Sequence, residues 1–254
     1  MKLFKLIDIN KEKVRKEIKQ EEKFSILIEN NDELNEILKN NEYFDFLEKN
    51  KNNISKIIIR LTNFKNIELN KFLFLEHYGI NCIILGPTGF FEEGIKKLEE
   101  DIIKLNEIID EIKKKNLNEE ENIIEIIKWI SENVFYDKKY NIKDFSKESK
   151  EKLKERLLLS HILKNKKTNC AGFSNIFYII ANLLDINVNI ENSKFHSWNS
   201  VIINNKKIHI DPTNLANELK AKNILKIDKD NYYVEDKKIK GFGLYTGNIE
   251  DIYE

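Results

Sequence analysis

The chain has 254 residues, of which 41% are hydrophobic and 34% are charged, which excludes a disordered polar chain and allows one or two folded domains. Its 43 basic residues balance its 43 acidic residues, so overall charge favours neither a nucleic acid nor an acidic membrane as a partner. The two cysteines form no C-x-x-C pair, which excludes a disulfide framework.

Two further features bear on cellular location. Charged residues interrupt the apolar ones throughout the first segment, MKLFKLIDINKEKVRKEI, which differs from the continuous apolar core of a signal peptide. No later run reaches the roughly 20 apolar residues that span a bilayer. With both thiols expected to stay reduced, the sequence predicts a cytoplasmic protein with no membrane partner.

Residues 1–90 are predicted to form a small α/β unit whose own partner the sequence does not name. Three apolar, β-branched runs alternate with segments of helical period: Phe24–Ile28, Lys56–Leu61 and Asn81–Gly86. In one helical segment the apolar residues fall largely on one side, namely Leu34, Ile37, Leu38, Phe44 and Leu47. The alternation favours a parallel three-stranded sheet. Cys82 lies inside the third run and is interpreted as a small buried hydrophobe.

The segment GPTGF, Gly86–Phe90, is interpreted as a turn because it lacks the glycine–lysine pair of a phosphate loop. After it, Phe91–Lys115 is predicted to be helical and residues 91–117 to connect two domains. Its apolar residues recur in steps of three and four: Ile95, Leu98, Ile102, Leu105, Ile109 and Ile112. This narrow seam suits packing on the next domain, with a self-associating coiled coil as the alternative.

Residues 118–254 are predicted to form a second, α+β domain. A helix is expected from Glu119, with Asn118 and Glu121 as a capping box and four apolar residues facing inward: Ile123, Ile127, Ile130 and Val134. A polar loop follows, and then a helix is expected over residues 151–163. The next helix should begin near Cys170, because Thr168 and Asn169 can cap it and apolar residues follow at helical spacing.

Three β-like runs come after this helix: Ile186–Glu191, Ser197–Ile203 and Lys206–Thr213. The NNK between the last two predicts a hairpin turn. The tail is expected to hold one or two short strands, for example NYYVED, and a glycine-containing loop with Gly241, Gly243 and Gly247.

A cysteine in the first turn of a helix lies near the positive end of the helix dipole and its unpaired N–H groups, which favours the thiolate. Next to Cys170, Ala171 and Gly172 are small enough for a substrate carbonyl to approach the backbone, whose N–H groups could receive an oxyanion. A base is also needed. His77 and His161 have no obvious route to the thiol, whereas His196 begins a strand that can run back beside the cysteine helix.

His209 and Asp211 alternate with apolar residues and share one face of their strand. If the hairpin pairs the two strands, Asp211 lies close to His196 and can orient its imidazole. His209 is a rival base, although its place beside Asp211 favours a supporting role. For Cys170 alone, a buried structural thiol is the alternative, and Cys170, His196, His209 and Asp211 could on paper form a zinc site.

Four segments resemble motifs of the transglutaminase-like superfamily in the same order. NCAGFS resembles its nucleophile motif, FHSWN its histidine motif and KKIHIDPT its aspartate motif, while Trp129, Asn133, Tyr136 and Asp137 match a helix ending of bacterial members. The resemblance covers about 100 residues and implies a papain-like core, in which the cysteine helix packs on an antiparallel sheet. It also implies a triad of Cys170, His196 and Asp211 and attack of the thiol on an amide or ester, without naming a substrate. We expect a protein or peptide substrate and neither a cofactor nor a metal.

The chain departs from the family at several positions. Thr168 and Asn169 replace the usual Gly-Val, Asp185 stands where glycine is usual, and Lys207 or Ile208 replaces a tryptophan. No acidic cluster has the form of a calcium loop, so calcium activation is not expected. Trp198 could shield the ion pair, and Trp129 and Tyr136 are interpreted as core or wall residues.

Two functions of different classes follow from these observations. The first is a cysteine-dependent amide hydrolase or acyl transferase of protease, deamidase or transglutaminase type, which works through a thioester. The second is a catalytically idle transglutaminase-like fold that acts as a protein-interaction module.

Overall fold

A computed structural model describes residues 2–64, 68–86, 91–137, 157–192, 196–222 and 234–235. The chain divides into two compact units, Met1–Ile102 and Ile103–Glu254. The domain ranges expected from the sequence, 1–90, 91–117 and 118–254, stay a prediction. In the described residues, no helix is both long and apolar enough to cross a membrane.

The first unit is built on a five-stranded sheet in the order β1-β2-β3-β4-β5. Its strands are β1 (Lys2–Lys5), β2 (Phe24–Ile28), β3 (Ile54–Arg60), β4 (Asn81–Leu85) and β5 (Phe91–Glu93). The first four run parallel, and β5 is antiparallel to β4. All five residues of β2 are buried, as expected for an inner strand of a parallel sheet.

Four helices connect these strands: α1 (Glu12–Ile18), α2 (Asn31–Lys39), α3 (Asn41–Asn50) and α4 (Leu73–His77). A further helix, α5 (Ile95–Lys114), follows β5 and crosses the boundary between the two units. The three predicted strands are confirmed, and the sheet gains one strand at each edge. The prediction of helix from Phe91 onward was wrong for its first residues. The chain passes through Gly94 at φ +98°, and the Glu76 carboxylate then accepts the N–H groups of Ile95 and Lys96. This cap comes from a residue distant in sequence, so no local pattern marks it.

The second unit combines helices with an antiparallel sheet, which is compatible with the predicted α+β class. Its helices are α6 (Glu119–Asn133), α7 (Leu159–Asn165), α8 (Cys170–Leu183) and α9 (Pro212–Lys222). The sheet has the order β11-β10-β9-β8, formed by β8 (Val188–Asn192), β9 (Ser197–Ile203), β10 (Lys206–Ile210) and β11 (Val234–Glu235). Two short parallel strands, β6 (Phe135–Tyr136) and β7 (Lys167–Thr168), form a separate two-stranded sheet. Helix α8 packs against β8 and β9 as well as α6 and α9.

Several local predictions for this unit are confirmed. Asn118 and Glu121 form the capping box of α6. Asn204 and Asn205 form the hairpin turn with φ of 51° and 60°, as a two-residue type I′ turn requires. Asp185 occupies the left-handed region at φ 65°, where glycine is usual.

One prediction was wrong at its end, because the third β-like run stops at Ile210 and helix α9 begins at Pro212. Proline favours the first position of a helix, where no N–H is needed. The turn Gly86–Phe90, most of the helix expected from residue 151 and the glycine-containing tail loop lie largely or wholly outside the described residues.

Candidate active site

Cys170 is the first residue of α8 and is half-buried. Asn169 caps the helix, since its side-chain oxygen accepts the N–H of Gly172 at 3.2 Å. The short pairing of β6 with β7 leads the chain directly into this cap. The cysteine therefore lies where helix-dipole and backbone N–H groups act on it, as the sequence predicts.

Gly172 serves a purpose other than substrate access. A Cβ atom built on it would lie 1.8 Å from Oγ1 of Thr168, and the Thr168 side chain is fully buried. Only a glycine lets β7 and the first turn of α8 approach so closely. Its N–H is bonded to Asn169, so the sequence-based expectation that Gly172 opens the backbone to a carbonyl does not fit this geometry. Ala171, in contrast, is half-buried beside the thiol.

His196 lies next to Asp211, as the hairpin pairing predicts. The imidazole Nε2 and the carboxylate Oδ2 are 2.7 Å apart, and the two side chains are only 11% and 1% exposed. Strands β9 and β10 pair antiparallel with Ile210 opposite Asn199. This register brings the residue before β9 and the residue after β10 to the same end of the sheet.

The thiol of Cys170 completes this arrangement. Burial acts to lower the pKa of His196, but hydrogen bonds with Asp211 and Cys170, together with their charges, outweigh it and raise the pKa to about 9. The imidazole is therefore a cation at neutral pH, held between a carboxylate and a thiol.

Asp211 is itself held by the start of α9. Its Oδ1 accepts the N–H groups of Thr213 at 3.0 Å and Asn214 at 3.1 Å. Its Oδ2 accepts the side-chain amide of Asn214 at 2.9 Å in addition to facing His196. The carboxylate thus acts as a helix cap with one oxygen while it orients the imidazole with the other.

His209 does not take part in this chain of contacts. Its Nδ1 accepts the indole N–H of Trp198 at 2.9 Å, and an acceptor nitrogen facing Trp198 cannot also serve as base for the thiol. Among the described residues, no group of three or more His, Cys, Asp or Glu side chains could hold a metal ion.

Aromatic rings surround the site. Trp198 lies nearly parallel to His196, with ring centroids 6.1 Å apart and planes 13° apart. Tyr136 stacks on Phe173 with centroids 6.5 Å apart. Burial, followed by the charges of Cys170 and Asp137, raises the pKa of Tyr136, so its hydroxyl stays protonated at neutral pH. Trp129 is half-buried in α6, where its carbonyl accepts the side-chain amide of Asn133 at 2.9 Å.

Asn199 is a residue to which the sequence assigned no role. It is completely buried, and its amide donates to the carbonyls of Ser174 in α8 at 3.2 Å and Asn189 in β8 at 3.3 Å. These bonds hold the cysteine helix against the strand that follows His196. A lone amide on the apolar face of β9 is the pattern that could have indicated it.

No protein-family model and no curated protein matches the chain. Among solved structures, the fold is similar to the crystal structure of a TGase, with 15% sequence identity and a TM-score of 0.40, over 47% of this chain and 33% of that chain. A likeness this distant carries no argument about the fold or the chemistry of this chain.

Proposed function

We propose that the second unit is a cysteine-dependent amide hydrolase or acyl transferase with a transglutaminase-like, papain-like core. The observation that carries this proposal is the continuous contact from Asp211 through His196 to Cys170 at the start of a helix. Its substrate is a protein or peptide amide, and its location is cytoplasmic.

In the first half of the reaction, the Cys170 thiolate attacks the carbonyl carbon of the amide and the carbonyl π electrons move onto oxygen. First-turn N–H groups of α8, from Cys170 and Ala171, stabilise this oxyanion. When the intermediate collapses, the C–N bond breaks and His196 gives its proton to the departing nitrogen. A thioester on Cys170 and a free amine result.

In the second half, neutral His196 takes a proton from water or from an amine, whose lone pair attacks the thioester carbonyl. The C–S bond then breaks, the thiolate leaves, and His196 is again a cation beside Asp211. Water gives hydrolysis or deamidation, whereas an amine gives transamidation. The reaction moves protons and one acyl group, so it requires no redox cofactor.

The test is acylation of Cys170 by a mixture of peptides from digested cytosolic protein, with and without a biotinylated amine. Wild type, Cys170→Ala and His196→Ala are compared, and Cys82→Ala is the matched control because its thiol is buried away from solvent. Mass spectrometry should find acyl adducts on Cys170 and altered peptides only with wild type and the control. The biotin label on products distinguishes transamidation from hydrolysis.

The proposal fails if Cys170→Ala alters the same peptides as wild type. Absence of any adduct on Cys170, with the protein folded, would instead favour the second interpretation, an interaction module whose thiol is idle. In that case a cellular effect of the protein should be unchanged by Cys170→Ser.

A further inference from the structure

Trp198 lies between two histidines. Its ring stacks on His196 with centroids 6.1 Å apart, and its Nε1–H donates to Nδ1 of His209 at 2.9 Å. Both Trp198 and His209 are buried, at 7% and 3% exposure. A buried indole N–H needs an acceptor, so the His209 ring fixes how the indole is turned.

The strand pairing explains why these side chains meet. On β9 and just before it, His196 and Trp198 are two residues apart and share a face. On β10 and just after it, His209 and Asp211 are also two residues apart, and His209 pairs with Ser200. The segment of β10 and the residue after it therefore supplies two partners. Asp211 contacts the edge of the His196 ring. His209 accepts the N–H of Trp198, whose ring stacks on His196.

A polar cluster lies beside His209, because its partner across β9 and β10 is Ser200. The Glu191 carboxylate of β8 accepts the Ser200 hydroxyl at 2.6 Å and the Lys207 ammonium at 3.0 Å. Burial acts to raise the pKa of Glu191, but these hydrogen bonds outweigh it and lower the pKa. An ionised carboxylate thus anchors the surroundings of His209.

We propose that His209 is a positioning residue for His196, which it aligns by holding the Trp198 indole against the imidazole. The inference rests on the proposed function for the catalytic role of His196, but the positioning itself is a property of the fold. The essential feature is an acceptor atom at Nδ1 of His209. An oxygen at the same place should therefore substitute for it.

Two variants of the full chain separate the acceptor from the bulk of the side chain. His209→Asn places an amide oxygen close to the position of Nδ1, whereas His209→Leu fills the space without an acceptor. Nitrogen-15 NMR follows the indole N–H of Trp198 and the titration of His196. The only other tryptophan in the chain, Trp129, is the internal reference for an intact fold.

We expect wild type and His209→Asn to protect the Trp198 N–H from exchange and to keep the His196 titration near pH 9. In His209→Leu the Trp198 N–H should exchange at least about tenfold faster. The His196 titration should move towards its ordinary value of 6.5, because a loosened ring keeps less of its bonds to Asp211 and Cys170.

The proposal is overturned if His209→Leu keeps the wild-type titration of His196 while the Trp129 signal is unchanged. Should the leucine variant not fold, Trp198→Phe keeps an aromatic ring without the N–H and must give the same shift of His196. Failure of the proposed function is a separate result: Cys170 would form no acyl adduct in wild type, yet the NMR shifts would still decide the role of His209.

Discussion

The two cysteines of the chain lie in opposite kinds of environment. Cys82 is inside β4 of the parallel sheet, only 1% exposed, and its thiol donates to the carbonyl of Ile80. Burial raises the pKa of Cys82 to about 12. Cys170 begins a helix, is half-buried and bonds to the imidazole of His196. The same side chain is therefore an inert hydrophobe in one unit and a candidate nucleophile in the other, and position in the fold makes the difference.

The largest expected effect is the difference in alkylation between these two thiols. At pH 7 a group with a pKa of about 12 is ionised in only about one molecule in 10⁵, and its burial also hinders the reagent. We expect iodoacetamide to modify Cys170 at least about 10³-fold faster than Cys82 in the folded protein. Mass spectrometry of each site measures this ratio. In denaturant the alkylation rates of the two thiols should converge. Equal rates in the folded state would show that the fold does not make Cys170 more reactive than Cys82.

The second prediction concerns Asp211→Asn. An asparagine oxygen can still cap α9, but its amide N–H₂ would face His196 in place of a carboxylate oxygen. The His196 titration should fall from about 9 towards 6.5, and turnover at neutral pH should fall by at least about 10²-fold. NMR and peptide assays measure the two effects. The melting temperature at neutral pH should fall as well, because a raised pKa of His196 stabilises the folded protein below about pH 9. Asp211→Ala should lower the melting temperature further, since it also removes the cap of α9.

The pH dependence of turnover, compared with that of Cys170 alkylation, tests whether His196 acts as the acid. Because the pKa of His196 is raised to about 9, its proton is present at neutral pH and is lost as the pH rises through that value. Turnover, which needs the proton for the departing amine, should decline above about pH 9. Alkylation of Cys170 needs only the thiolate and should not decline. A parallel decline of both would contradict the role of His196 as acid.

The third prediction contrasts two glycines, one from each unit. A methyl group at Gly172 would collide with Thr168, whereas one at Gly79 would meet no atom within 4 Å. Gly172→Ala should lower the free energy of unfolding by about 3 kcal/mol, and Gly79→Ala by about 1 kcal/mol for its φ of +72°. Urea unfolding measures both. Adding Thr168→Ala should make the Gly172 substitution less costly, and strict additivity would show that the contact is not the cause.

The smallest effect is expected in the hairpin that brings His196 to Asp211. Both turn residues, Asn204 and Asn205, have positive φ, and glycine is favoured at the second position of such a turn. Asn205→Gly should raise the free energy of unfolding by about 0.5 kcal/mol and leave alkylation of Cys170 unchanged. A loss of stability in urea would argue against this turn geometry.

Local patterns predicted much of this fold. The hairpin, the capping box of α6, the start of α8 and the pairing of His196 with Asp211 all depend on residues that are close in sequence or in one hairpin. Strand β1 has only one buried residue, Phe4, so its pattern was too weak to predict. The start of α5 depends on Glu76, and the need for Gly172 depends on packing against Thr168. Such tertiary contacts leave no periodic trace in the sequence.

The same limit applies to the candidate site. The prediction of Cys170, His196 and Asp211 rested on three segments that resemble known motifs, and each of the three residues stands at the end of an element with a clear sequence pattern. The partner of His209 could not be predicted, because its bond to Trp198 depends on how two strands present their faces. Asn199 was missed for a similar reason, since its contact with Ser174 joins a strand to a helix.

The two oxygens of Asp211 have a consequence for how this fold could diverge. One oxygen caps α9 and the other faces His196, so the residue would remain under selection for folding even in a descendant that had given up chemistry. The half-buried thiol of Cys170 at the start of α8 is not a cap that the fold requires in this way. Under the proposed function, replacement of the cysteine among relatives of this chain would therefore mark the loss of catalysis, whereas survival of the aspartate would reveal nothing about it.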